Sequence, residues 1–421
     1  MVACATPWGH GAISVVRVSG DDLAPLLRGV CGRVPPPRAV RRVTLRDAAG
    51  PFDEGLLAFF PGPRSYTGED VAEVSCHGNP LIVERLLEAF RAAGARLAHP
   101  GEFTRRAFLN GKVDLTRAEA VLQAIAATSP AGLAVARKGL AGEVEGLADG
   151  LRDALTDVAA ELEAALDYPG EDLLVPPDDA ISARLGQVAG RARSAVAGGG
   201  RVAVEGARVA LVGAVNVGKS SLFNALLGRP RALVSATPGT TRDVVEATLP
   251  LDAARITLCD TAGERETPDA IEAAGMGLAR ATAGEADLVV HVVRADLPGD
   301  RAGPDLLVGT HADLGVVREV DVAVSSVTGE GVAELKRAIV RALVGEEPGG
   351  AGALVASLRQ KDLLVAVAAH AEAAAAELGP GGPAVAVEHV YAALAELDAL
   401  VGRDTREAVL DRLFARFCIG K

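Results

Sequence analysis

Val209-Ala210-Leu211-Val212-Gly213-Ala214-Val215-Asn216-Val217-Gly218-Lys219-Ser220-Ser221 is the stretch that decides the fold. An apolar run suited to a strand ends in a glycine, and Gly-Lys-Ser then opens a helical run from Ser221 to Leu227. The spacing is GxxxxGK[ST] in a strand–loop–helix context, which is that of a phosphate-binding loop. Its glycines let main-chain N–H groups approach a phosphate, and the helix N-terminus favours the anion. Gly218 and the flanking Val217 and Ser221 belong to this cradle. Lys219 is placed to bridge β- and γ-phosphates, and Ser220 to ligate Mg²⁺. A chance glycine-rich turn is the competing reading, and it would not call for the flanking strand and helix.

Companion motifs follow in order. Thr237-Pro238-Gly239-Thr240-Thr241-Arg242-Asp243 offers threonines for Mg²⁺ and the γ-phosphate. Asp260-Thr261-Ala262-Gly263 closes an apolar strand, with Asp260 suited to Mg²⁺ through water and the Gly263 N–H to sensing the γ-phosphate. Thr310-His311-Ala312-Asp313 and Ser325-Ser326-Val327 come later. Together these resemble the five motifs of small GTPases, in which Asp313 would accept from guanine N1 and N2. Thr310 and His311 stand where that pattern has Asn and Lys. Glu264 stands where Ras-type proteins carry the water-orienting Gln, and no arginine finger is identifiable. Asn216 resembles the residue that, in one GTPase class, helps hold K⁺ where such a finger would reach.

Outward from the loop, residues 206–345 alternate apolar strands with helices, the pattern of a doubly wound α/β domain. Strand candidates are Arg208 to Val212, Arg255 to Cys259, Leu288 to Val293 and Leu306 to Val308. Helical sequence flanks this block over 114–205 and 346–421, with Gly198-Gly199-Gly200 read as a hinge and Pro348-Gly349-Gly350 as a linker. The block is a domain inserted into an all-α domain, or it separates two helical domains. Residues 1–113 are rich in Gly and Pro, with short strands such as Ile13 to Val18, Gly55 to Phe60 and Val71 to Cys76 around a helix at Leu81 to Ala93, an α+β pattern. Between Arg294 and Asp305, two prolines and two glycines predict that the usual helix is missing or cut to one turn.

Composition bounds the class. The 421 residues suggest several domains, and the core must be built from Ala, Val and Leu because aromatics make up only 3%. Five cysteines without a CxxC pair exclude a disulfide scaffold and a zinc ribbon, and suit a reducing cytoplasm. No apolar run of spanning length or signal segment is found, so neither a membrane span nor secretion is expected. A net charge of -12 argues against a protein that holds nucleic acid alone by bulk charge. Lysine supplies six of the 43 basic residues, at 112, 138, 219, 336, 361 and 421. Codon bias accounts for that ratio, and a need for a compact point charge accounts for some positions. Cys76 and His77 are strand neighbours and point to opposite faces, which argues against a dyad. The seven histidines show no metal-ligand spacing.

Several stretches outside the GTPase motifs resemble one family, the MnmE/TrmE tRNA modification GTPases. They are Gly11 to Gly20, Tyr66-Thr67-Gly68-Glu69-Asp70, His77-Gly78, Pro100 to Lys112 and Cys418-Ile419-Gly420-Lys421. The resemblance implies a multidomain α+β and α/β architecture: an N-terminal α+β folate-binding and dimerisation domain, an all-α domain, and an inserted P-loop GTPase (G) domain with a doubly wound sheet. It implies GTP hydrolysis driven by K⁺-dependent pairing of two G domains in a homodimer. By position, Asn216, Ser235, Thr237 and Thr240 would hold K⁺, and Ser220 and Thr241 would hold Mg²⁺. Glu272, in Ile271-Glu272-Ala273-Ala274-Gly275, would orient the attacking water, and Arg242 and Asp243 would steady the first switch. Without the resemblance, Glu272 reads as part of a solvated helix face.

The resemblance further implies a tetrahydrofolate derivative, 5-formyl- or 5,10-methylene-tetrahydrofolate, bound near Arg17, Glu73, Lys112 and Lys421. A carboxylate can pair with the pterin edge, and cations suit the anionic tail. Taken alone, each of these is an ordinary surface charge. Cys418 would face that site and serve the modification, although a free cysteine is more commonly a small buried hydrophobe. An FAD-dependent partner of the MnmG/GidA type would supply redox chemistry and much of the tRNA contact, and the product would be a substituted C5 on the wobble uridine. Two rival readings cover only part of the chain. A ribosome-assembly GTPase switch leaves residues 66–112 and the terminal tetrapeptide unexplained. A folate-dependent aminomethyltransferase leaves the phosphate loop unexplained.

Overall fold

The structure, a computed structural model, describes residues 1–167, 176–197, 199–214, 216–228, 245–251, 254–260, 284, 286–299, 306–344, 354–403 and 407–421. It contains two compact units, Met1–Leu122 with Asp398–Lys421, and Gln123–Leu397.

The first unit is built on a five-stranded antiparallel sheet in the order β1-β2-β5-β4-β3. Its strands are β1 (Val2–Cys4), β2 (Ile13–Gly20), β3 (Val40–Asp47), β4 (Gly50–Phe60) and β5 (Asp70–His77). Alternation decides the faces. Val16, Val18, Val74 and Cys76 point into a core shared with α1 (Ala24–Cys31) and α2 (Pro80–Ala92). Arg17, Glu73, Ser75 and His77 point the other way. Cys76 is thus buried and His77 exposed, as the period-two argument requires. Ser75 pairs with Val15 and Leu56, and Arg17 with Glu73, so the register places the polar pair side by side. Helix α3 (Glu102–Leu109), the first part of α4 (Leu115–Ala126) and the last helix α13 (Glu407–Phe414) add a second cluster around Leu115, Leu410, Phe414 and Phe417.

The second unit opens with a helical array. Helix α5 (Pro130–Ala141) starts where Ser129 caps it, its hydroxyl accepting from Gly132 N at 3.0 Å, with Pro130 at the first position. Helices α6 (Glu143–Asp167) and α7 (Asp178–Val196) follow. Leu151, Leu155, Val158 and Leu162 form the buried stripe of α6, and Ile181, Leu185, Val188 and Ala192 that of α7. Late in the chain, α11 (Leu358–Glu377) packs along α7, and α12 (Gly382–Val401) follows it. The glycines read as a hinge do different work. Gly198 lies outside the described residues, while Gly199 and Gly200 open the short helix α8 (Gly200–Glu205). A Cβ on Gly199 would sit 2.7 Å from Val344 Cα, and one on Gly200 2.2 Å from the Val355 carbonyl oxygen. Both glycines permit close packing.

The second sheet has six strands in the order β11-β10-β9-β6-β8-β7. Strands β6 (Ala207–Val212), β8 (Arg255–Asp260), β9 (Leu288–Arg294), β10 (Leu306–Thr310) and β11 (Val322–Ala323) are parallel, and β7 (Val245–Pro250) runs antiparallel to β8. The doubly wound expectation is met. Helices α9 (Lys219–Leu227) and α10 (Val332–Val344) bury Leu222, Phe223, Leu226, Leu335 and Ile339 in the core of this sheet. No helix occurs among residues 295–299 after β9, and residues 300–305 lie outside those described. Between β10 and β11 there is only a 3-10 turn, Ala312–Leu314. Irregular chain packs there instead: Val317 N donates to Ala295 O at 2.8 Å, and a Cβ on Gly309 would meet Ala295 and Val320 side chains. Among the described residues, no helix is long and apolar enough to cross a membrane.

Candidate functional site

The phosphate loop leaves the end of β6, which lies between β8 and β9 where the strand order reverses. That is the crevice in which open α/β sheets bind ligands. Gly213 must be glycine, since a Cβ there would lie 2.2 Å from the Val292 carbonyl oxygen. Asn216 and Gly218 take left-handed conformations, φ 60° and 93°, which turn the loop into the helix. Lys219 is the first residue of α9 and is buried, its Nζ donating to the carbonyls of Gly213 and Ala214, each at 2.7 Å. Burial lowers its pKa, and the Asp260 charge opposes that shift.

Ser220 Oγ donates to Asp260 Oδ2 at 3.1 Å. Asp260 is fully buried at the end of β8. A buried carboxylate and a hydroxyl in contact beside a lysine form a hard oxygen donor set that fits Mg²⁺ on a polyphosphate.

The loop that begins at Thr310 is anchored to this cradle. Thr310, buried at the end of β10, donates its hydroxyl to the Val217 carbonyl; the Val293 carbonyl lies 3.1 Å from the same oxygen. His311 follows with φ 60°, its Nδ1 3.0 Å from Thr310 Oγ1. Asp313 stands exposed on the next turn. The last motif is beside it, with Ala312 N donating to Val324 O at 3.3 Å. Buried Ser325 closes that loop by accepting from Val327 N at 3.3 Å and Thr328 N at 3.1 Å, with Ser326 half-buried and Val327 exposed. Ser235, Thr237, Thr240, Thr241, Arg242, Asp243, Thr261, Ala262, Gly263, Glu264 and Glu272 lie outside the described residues.

A second cluster lies in the first unit. Arg17 forks onto Glu73 through Nε at 3.0 Å and Nη2 at 2.8 Å, and its Nη1 donates to Gly420 O at 3.1 Å. The same guanidinium lies 5.6 Å from the ring centroids of Tyr66 and Phe103. Lys421 is half-buried, and burial, with the Arg17 charge adding, lowers its pKa while Glu73 opposes. A carboxylate held by Arg17, with the Lys421 cation within reach of its charge, fits a heterocycle with a donor edge and an anionic tail. Lys112 is not part of this group: it is exposed and donates to Pro63 O at 2.8 Å. Cys418 is exposed, and its carbonyl accepts from Lys421 N at 3.3 Å.

Sequence reasoning missed an ionic chain behind this cluster. Arg106 donates to both carboxylate oxygens of Glu69 at 2.8 Å and to Glu102 at 2.9 Å; Arg96 also donates to Glu102. Ser19 joins Thr67 at 2.8 Å to Glu69 at 2.9 Å. Glu69, Glu102 and Arg106 all fall in the quoted stretches. Their density of charge beside apolar residues is the signal that they pair.

The comparisons agree with this layout. Residues 1–112 match the model of the GTP-binding protein TrmE N-terminus, and residues 115–418 that of the MnmE helical domain. The tRNA modification GTPase MnmE of Opitutus terrae is 40% identical over 445 aligned positions, covering 100% of this chain and 98% of that protein. The MnmE proteins of Phenylobacterium zucineum and Thermus thermophilus are each 41% identical, covering 100% of this chain and 99% and 98% of theirs. With both ends of the chain and its phosphate loop accounted for, this chain belongs to the MnmE family of tRNA modification GTPases.

Proposed function

We propose that this chain is a cytoplasmic, K⁺-dependent GTPase that works as a homodimer with an FAD-dependent MnmG-type partner. Together they modify C5 of the wobble uridine of tRNAs with a one-carbon unit from a tetrahydrofolate derivative. The observation that carries the reading is the meeting of Lys219, Ser220 and buried Asp260 at the end of β6 and β8.

In this reading the main-chain N–H groups of the loop and Lys219 hold the polyphosphate, and Asp313 pairs with the guanine N1 and N2 donors. Ser220 and Thr241 would hold Mg²⁺, with Asp260 acting through water, and the ion would offset the polyphosphate charge. Asn216, Ser235, Thr237 and Thr240 would hold K⁺, which would supply the positive charge that an arginine finger supplies elsewhere. Glu272 orients a water whose oxygen bonds to the γ-phosphorus as the bond to the β–γ bridging oxygen breaks; the water's proton ends on phosphate. Arg242 and Asp243 steady the first switch. Arg17, Glu73 and Lys421 position the folate, Lys112 sits at its margin, and Cys418 serves the modification. The net charge of -12 fits tRNA binding that is shared with the partner.

Two measurements test the reading. GTP turnover is expected to be faster in K⁺ than in Na⁺, and equal rates would sink the K⁺-dimer mechanism. Wobble-uridine nucleosides of a deletion strain should lose the modified form, and an unchanged profile would remove the function.

A further inference from the structure

Charge is spread unevenly along the chain. Residues 1–112 carry fourteen basic and eleven acidic side chains, whereas residues 113–421 carry twenty-nine and forty-four. The basic excess is concentrated further, since Leu23 to Arg46 holds six arginines and no acidic residue. This stretch forms α1, a connection through Pro35-Pro36-Pro37 and then β3, which is an edge of the five-stranded sheet. Arg33, Arg38, Arg41, Arg42 and Arg46 are exposed, as is Arg64 on the chain after β4. Arg38 and Arg64 meet where Arg38 Nη2 donates to the Arg64 carbonyl at 2.7 Å, next to the start of β3. Arg46 lies towards the other end of the strand, beside Gly32 at the close of α1. From residue 40 to residue 46 a strand advances about 20 Å, so the guanidiniums form a line along the edge.

The nearby carboxylates are already engaged. Asp47 is paired with Arg85 at 3.0 Å, Asp53 with the His77 ring at 2.7 Å, and Glu54 with Arg42. Among the described residues, Arg33, Arg38, Arg41, Arg46 and Arg64 meet no carboxylate. A face that is merely solvated intersperses both signs, whereas a line of one sign attracts a polyanion and is neutralised with release of counterions. The sheet register ties this edge to the Arg17–Glu73 pair: Val40 stands opposite Ala58, Ala58 opposite Glu73, and Glu73 opposite Arg17. Three strand spacings, about 14 Å, separate the start of the edge from Arg17.

We propose that the β3 edge is an RNA-contacting surface, on which Arg33, Arg38, Arg41, Arg46 and Arg64 hold the ribose-phosphate backbone of the tRNA. This deepens the tRNA-modification reading above and rests on it. Contacts of this kind set the position and register of the nucleic acid and carry no sequence information. The edge therefore serves to bring the RNA to the sheet that bears Arg17 and Glu73, while the acidic remainder of the chain repels it.

The test is fluorescence anisotropy of labelled tRNA with the full chain between about 25 and 200 mM salt. Three proteins are compared: the native chain, an edge variant combining Arg33→Gln, Arg41→Gln and Arg46→Gln, and a control combining Arg91→Gln, Arg137→Gln and Arg341→Gln. All six arginines are exposed, and the control removes the same charge elsewhere. GTP turnover without tRNA should stay at the native level in both variants and reports that they are folded. The edge variant should bind about tenfold or more weakly at 0.1 M salt, and its slope of log K on log salt should be shallower by about 2–3, while the control stays close to native. Native affinity and slope in the edge variant would overturn the inference, leaving the arginines to an acidic protein face or to guarding the edge against strand pairing. Equal losses in the control would overturn it as well, by making net charge the cause. No tRNA binding by the native chain at the lowest salt would also overturn it. None of these results removes the modification reading, which fails only on the wobble-uridine nucleosides.

Discussion

Asp260 and Ser220, forty positions apart in sequence, share a hydrogen bond of 3.1 Å because β8 lies beside β6 in parallel register, with Asp260 opposite Leu211. The sheet thus delivers the carboxylate to the first turn of α9. Asp260→Asn keeps the shape and a possible bond to Ser220 but removes the charge that favours a divalent cation. The Mg²⁺ concentration giving half-maximal GTP turnover should rise about 10- to 100-fold, as loss of a charge-assisted contact implies. A Mg²⁺ titration of turnover reads this directly, and an unchanged midpoint would place the ion elsewhere.

Thr310 answers a question that the sequence raises, namely what replaces Asn at the head of the base motif. Its hydroxyl donates to a carbonyl of the phosphate loop, so one short side chain ties the two loops together. Thr310→Val preserves the shape and leaves the Val217 carbonyl without that donor. The expected loss of stability is about 1–3 kcal/mol, whereas Thr310→Ser should recover most of it. Thermal unfolding in the absence of nucleotide separates the two variants.

The phosphate loop was fully legible because its glycines, lysine and serine are contiguous and their spacing is dictated by one ligand. The strands around it were legible from their apolar runs. The packing role of the doublet Gly199-Gly200 was hidden, because a glycine that permits motion and one that permits close approach look the same until Val344 and Val355 are seen against them. Pairings between distant charges were hidden as well. Arg106 meets Glu69 only through the fold, and no local pattern encodes a contact 37 residues away. Lys112 shows the reverse: a matching position in a quoted motif that the fold places on Pro63 rather than with Arg17.

Glu102 predicts an acid limit. Burial raises its pKa, but hydrogen bonds from Arg96, the His99 amide and Arg106 outweigh this and hold it at about 2, below the ordinary value of 4.5. A depressed carboxylate pKa stabilises the fold above the unfolded-state value, and the contribution is lost as pH falls from about 5 towards 2. Glu102→Gln should lower the unfolding temperature at pH 7, and the gap to the native chain should close as the pH drops through that window. A gap of constant size from pH 7 to about pH 3 would mean that Glu102 contributes by packing alone.

Arg17 spends all three guanidinium arms: Nε and Nη2 on Glu73, and Nη1 on the Gly420 carbonyl. It therefore aligns the carboxylate and the C-terminal tetrapeptide at once, which a lysine cannot do because its ammonium is a single point. Arg17→Lys keeps the charge and loses the fork, and Glu73→Gln keeps the shape and loses the anion. Both should weaken binding of 5-formyl-tetrahydrofolate about tenfold or more, as measured by equilibrium dialysis. Lys112→Gln should have a smaller effect, since that side chain is anchored on Pro63 outside the Arg17 cluster. The order of the three variants is the discriminating result. If Lys112→Gln were the most damaging and Arg17→Lys neutral, the folate would lie along the Pro63–Lys112 edge, and the Arg17–Glu73 pair would be a strand-to-strand brace.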